Sequence, residues 1–135
     1  MRKAILLGAL AALAGCGGDP PPRHHIPPAA RPDRLKPSHC PPAATNCRTA
    51  SGQIIYVEAV DPDGDGDAHF VLTSRQSITL PGISVIDVEK NMRPHPLPGT
   101  GDRVSAAGPV YRGSFGQRQI QATELHVARR ARSSR

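Results

Sequence analysis

Between residues 53 and 127 the apolar residues recur in short runs of β-strand character, separated by clusters of turn residues. Five strands follow from this pattern. Residues 53–60 are rich in Ile, Val and Tyr. Residues 68–74 centre on Phe70, Val71 and Leu72, with Phe70 expected in the core. Residues 83–89 set Ile83, Val85 and Asp87 opposite Ser84, Ile86 and Val88. Residues 103–111 open after Pro98-Gly99-Thr100-Gly101-Asp102, and residues 119–127 after the hairpin-like Gly113-Ser114-Phe115-Gly116-Gln117. Prolines at 94, 96 and 98 forbid a continuous helix in the long connection between the third and fourth strands. Gly52 and Gly108 are expected where strands bend or bulge.

Five short strands in about 75 residues suit a small closed barrel better than a sandwich, which needs about seven. The expectation is an all-β domain, a five-stranded OB-fold-like barrel whose usual helix between strands three and four is replaced by the proline-rich loop. So small a core leaves little margin of stability.

The first fifty residues read differently. Met1-Arg2-Lys3 is basic, and residues 4–14 are a short apolar run, too short to span a bilayer stably. The run ends in Leu13-Ala14-Gly15-Cys16, which resembles the lipobox of bacterial lipoproteins. The resemblance implies that residues 1–15 are a signal peptide and that Cys16 becomes the lipidated first residue, a membrane anchor. The alternative is a plain signal peptide with an incidental cysteine. Gly17, rather than Asp, follows the cysteine; by analogy with Gram-negative sorting this implies the outer membrane. Residues 16–50 hold nine prolines and no apolar period, the signature of a semi-rigid tether. Fully extended it reaches roughly 100 Å.

Export places the chain in an oxidising compartment, facing the periplasm or the cell exterior. Two cysteines remain, Cys40 and Cys47, and an even remainder fits one disulfide. The rival, a metal pair with His39, lacks a second Cys/His pair at zinc-like spacing.

The formal net charge of +6 is unevenly distributed. From 51 to 128, the span of the expected domain, six bases face nine acids, leaving about −3. Residues 129–135 are a basic tail, read as a frayed terminus. With four aromatic residues and an acidic folded part, the chain lacks the footprint of a nucleic-acid binder.

Gly66-Asp67-Ala68-His69-Phe70-Val71-Leu72 resembles the "DGD-x-H-x-x-L" segment of small exported bacterial OB-fold proteins without assigned activity. Gly101-Asp102-Arg103-Val104-Ser105-Ala106-Ala107-Gly108 matches their later "G-x-x-V-x-V-x-G" strand loosely. The last strand carries His126 without the proline that the pattern puts after it.

The acidic run Asp61-Pro62-Asp63-Gly64-Asp65-Gly66-Asp67 starts like an EF-hand loop, but Leu72 stands where that loop needs a bidentate Glu. A looser calcium site remains open, as does a solvated turn. On a strand, Asp65, Asp67 and His69 share a face, and His126 is a candidate fourth member of a metal or ligand site; a structural hydrogen bond of His69 to Asp67 or to the backbone explains the pair as well. Asp65-Gly66-Asp67 also resembles the turn of staphylococcal-type nucleases, with Asp87 at the distance of a second calcium ligand; the flanking residues of that family are missing.

Three functions therefore stand as expectations. The first is a membrane-anchored, non-catalytic binding module for an envelope ligand. The second is a calcium-dependent hydrolase of nuclease-like type. The third is a polyanion binder acting through the arginine tail.

Overall fold

A computed structural model of the chain describes residues 34–58 and 64–131. The expected signal peptide, Cys16, most of the expected tether, Asp61, Asp63 and the end of the arginine tail lie outside these residues.

The described chain is all-β. Its strands are β1 (Cys47–Glu58), β2 (Ala68–Ser74), β3 (Ile83–Val88), β4 (Arg103–Arg112), β5 (Arg118–Gln121) and β6 (Glu124–Ala128). A single 3-10 turn, Lys90–Met92, lies in the proline-rich connection. The strands form one sheet in the order β1-β2-β3-β5-β4-β6, and an additional pairing of β1 with β4 closes five of them into a ring. Neighbours are antiparallel except β3 and β5, which run parallel.

The length of β1 makes this ring possible. Its first half, Cys47 to Gln53, pairs with β4, and its second half, Gly52 to Glu58, pairs with β2. Gly52 is the pivot, opposite both Val104 and Ser74. A Cβ there would run into the backbone carbonyl of Thr73. A bulge between Ile54 and Tyr56 sharpens the bend and leaves Ile55 and Tyr56 on the outer surface.

Alternation fills the interior. Ala68, Phe70 and Leu72 of β2 and Ile86 and Val88 of β3 point inward, joined by Ile54, Val104 and Ile120, all fully buried. Ala50, Ala106 and Ala122 complete the cluster, because a narrow ring has no room for larger side chains on every strand.

Two boundaries differ from expectation. The fifth strand, predicted as continuous over residues 119–127, is two strands laid end to end along β4. The break is at Ala122 and Thr123: the Ala122 N–H donates to Asp87 O, while the Thr123 N–H and hydroxyl both donate to Ala107 O. Gly108 lies against this break, where a Cβ would meet the Gln121 carbonyl. β5 thus bonds both β3 and β4, whereas β6 bonds β4 alone.

The domain also begins earlier than residue 51. The Ser38 N–H donates to Ser105 Oγ at 2.8 Å and the His39 N–H to Glu124 Oε2 at 2.8 Å. Cys40 and Cys47 form a disulfide with Cα atoms 5.7 Å apart. Arg48, Thr49 and Ala50, assigned to the tether by composition, are strand residues, and Ala50 is 1% exposed in the core. Their strand character is invisible in the pattern because the core needs only alanine at this end of the ring.

Candidate functional site

The acidic turn enters β2 through two glycines in the left-handed region, Gly64 (φ 84°) and Gly66 (φ 87°). Asp65 Oδ1 accepts the Asp67 N–H at 2.9 Å, an Asx turn. Asp67 Oδ1 accepts the Lys90 N–H at 3.0 Å, and Arg93 Nη1 donates to Gly66 O at 2.7 Å. The turn is thereby clamped onto the connection between β3 and β4.

Alternation puts His69 on the outer face of β2, between two carboxylates. Its cross-strand partners are Glu58 on β1 and Asp87 on β3. His69 Nδ1 lies 3.4 Å from Glu58 Oε2, and Nε2 lies 3.7 Å from Asp87 Oδ1. Asp87 Oδ2 accepts Gln119 Nε2 at 3.1 Å, and Gln119 Oε1 accepts Gln117 Nε2 at 3.1 Å. The result is a polar row across four strands and into the β4–β5 turn.

Asp87 is the most constrained member of this row. Its Oδ1 is buried without a hydrogen bond. Burial raises its pKa above the ordinary carboxylate value of 3.8; His69 opposes that shift, the charges of Asp67 and Asp65 add to it, and the Gln119 hydrogen bond again opposes it.

His126 does not join this group. It sits on β6 opposite Ser105, with Nε2 2.7 Å from Glu124 Oε1. Ser105 pairs with Ser51, seven positions along β1 from Glu58, about 23 Å of strand contour. Glu124 is held below the ordinary carboxylate value of 4.5, first by the His39 N–H and then by the His126 hydrogen bond. His126 therefore serves the docking of the segment before β1.

Of the four residues expected together, His69 stands beside Asp87, Asp65 and Asp67 act on it through their charge, and His126 stands apart. Glu58 was not legible as a partner of His69, because the bulge at Ile54/Tyr56 shifts the register that would pair them. No group of three or more His, Cys, Asp or Glu side chains among the described residues is arranged to hold a metal ion. The tail also differs from a frayed terminus at its start. Arg129 donates to Pro96 O and Leu97 O and lies 3.8 Å from Asp102 Oδ2, and the Arg130 N–H donates to Asp102 Oδ1.

No family model and no curated protein matches the chain.

Proposed function

We propose that the protein is a membrane-anchored lipoprotein, lipidated at Cys16, whose proline-rich tether carries a non-catalytic binding domain facing the periplasm or cell exterior. The observation that supports the non-catalytic reading is the engagement of the acidic turn. Asp65 and Asp67 each use a carboxylate oxygen on a backbone N–H of the turn or of the neighbouring loop. Those contacts explain the aspartates as loop-forming residues, without a reaction.

A second reading, a calcium-dependent hydrolase, draws on Asp87 Oδ1, a buried oxygen without a hydrogen bond beside His69. Calcium takes about six to eight oxygen ligands; Asp87 would supply one, and Asp65 and Asp67 would have to shift to join it, since the described residues hold no group of three arranged for a metal ion. A thermal melt of the full chain with and without calcium separates the two. The binding-module reading expects no change in midpoint. A calcium-dependent rise that disappears in Asp67→Asn, together with calcium-dependent cleavage of a phosphodiester, would replace it with the metal-dependent one.

A further inference from the structure

The arginines that the sequence scatters over three segments meet at one end of the ring. Ala50, Val110 and Ile120 point toward the core of β1, β4 and β5. Two residues further out, on the same face of each strand, stand Arg48, Arg112 and Arg118. All three are exposed, and no ion pair among the described residues includes them. Arg48 Nη1 donates to Cys47 O at 2.9 Å and Arg112 Nη1 to Gly116 O at 2.8 Å. These contacts orient two guanidinium groups without neutralising them.

Most of the carboxylates lie elsewhere; Glu124, level with Thr49 across β4, is the one near this end, and it is engaged by the His39 N–H and by His126. Glu58, Asp65, Asp67, Asp87 and Glu89 cluster where β1 and β3 end and β2 begins. Arg48 and Glu58 are ten residues apart on β1, about 33 Å of strand contour. Charge is therefore segregated along the ring, and the net negative balance of residues 51–128 conceals a basic mouth.

Two clefts open at that mouth and share Arg118. One, of about 530 Å³, is lined by Arg48, Thr49, Gln76, Ser77, Ile78 and Arg118. The other, of about 310 Å³, is lined by Asn46, Val110, Tyr111, Arg112 and Arg118. Each is of small-ligand size. Gln76 Oε1 accepts from the Ser51 N–H and the Ser74 hydroxyl. Its amide NH2, with no bond among the described residues, is left as a donor toward the cleft. Tyr111 is 53% exposed, and Phe115, on the adjoining turn, is 87% exposed.

We propose that this mouth binds an acidic oligosaccharide, with Arg118 at the junction of two adjacent subsites. Guanidinium groups take up carboxylate or sulfate through paired N–H donors. Gln76, Thr49 and Asn46 offer hydroxyl and amide partners for sugar hydroxyls, and the exposed ring of Tyr111 offers an apolar face for the C–H side of a sugar. Two joined clefts with three cations suit a short chain of charged units better than a single anion. The proposal rests on the binding-module reading and names its ligand class.

The test is calorimetric titration of the full chain with a heparin hexasaccharide. The wild type binds, and Arg118→Ala weakens binding about tenfold, the loss of one charge-assisted contact. Arg48→Ala and Arg112→Ala weaken it as well, while Arg103→Ala on the far end of β4 leaves it unchanged. The Arg118 side chain makes no hydrogen bond among the described residues, so its variant is expected to melt with the wild type, and melting is measured alongside. Undiminished binding by a folded Arg118→Ala protein overturns the proposal. So does binding lost in Arg132→Ala/Arg135→Ala and kept in Arg118→Ala, which would move the site to the tail. Tighter binding of a single-stranded oligonucleotide through the same arginines overturns the sugar assignment. Calcium-dependent cleavage of a phosphodiester would instead overturn the non-catalytic reading, so the two failures are distinguishable.

Discussion

Asp87 carries the sharpest physical conflict among the described residues. Its carboxylate is mostly buried, one oxygen has no hydrogen bond, and Asp65 and Asp67 add repulsion; only His69 and Gln119 oppose these effects. A carboxyl whose folded pKa is raised contributes stability below its unfolded value and loses it as pH rises through the folded value. Asp87 ionisation is thus a cost at neutral pH. Asp87→Asn, which keeps an acceptor for Gln119, is expected to melt above the wild type at pH 7. The gap should close as pH falls below 3.8, the ordinary value of the carboxyl. A variant that melts lower at pH 7 would mean that the attraction to His69 outweighs burial. His69 itself, between Glu58 and Asp87, is held as a cross-strand bridge, which accounts for the histidine without a reaction.

At the scale of elements, the break between β5 and β6 is the feature that shapes the ring. β5 must bond β3 on one side and β4 on the other, while β6 follows β4 alone. The break brings the backbone of residues 121–123 against Gly108, close enough that no Cβ fits. Gly108→Ala is therefore expected to cost about 3 kcal/mol or more, since backbone rather than a flexible side chain must yield. Urea unfolding of the variant measures it; a loss under about 1 kcal/mol would show that the break can shift. Gly52 plays the same part for β1, where one strand passes from β4 to β2.

Over the whole molecule, the segment before β1 is a strap across the ring. It is held by Ser38 to Ser105, His39 to Glu124 and the Cys40–Cys47 disulfide. By loop entropy, so short a ring contributes about 2 kcal/mol, a large share for a domain of this size. Replacing both cysteines with serine should lower the melting midpoint by about 10 °C. Differential scanning calorimetry of the double variant checks this, and an unchanged midpoint would mean that the hydrogen bonds of Ser38 and His39 hold the strap unaided.

The sequence alone determined the all-β class, Phe70 as a core residue, the division of β3 into two faces, the turn clusters and the cysteine pairing. These are local properties: period-two alternation, glycine and proline at turns, and two cysteines close together in the chain. It also gathered Asp65, Asp67 and His69, because they are neighbours on one short stretch. Only the tertiary structure decided the rest. Ring closure set which half of β1 meets β4, broke the last strand, separated His126 from His69, and drew Arg48 into a strand. Each of these depends on register between segments distant in sequence, and a bulge or an alanine-lined face leaves no period to read. The basic mouth is the clearest case. Its three arginines belong to three segments, and the net charge of the domain has the opposite sign. The β4–β5 hairpin sets Arg112 opposite Arg118, and the β1–β4 pairing that closes the ring brings Arg48 to the same end.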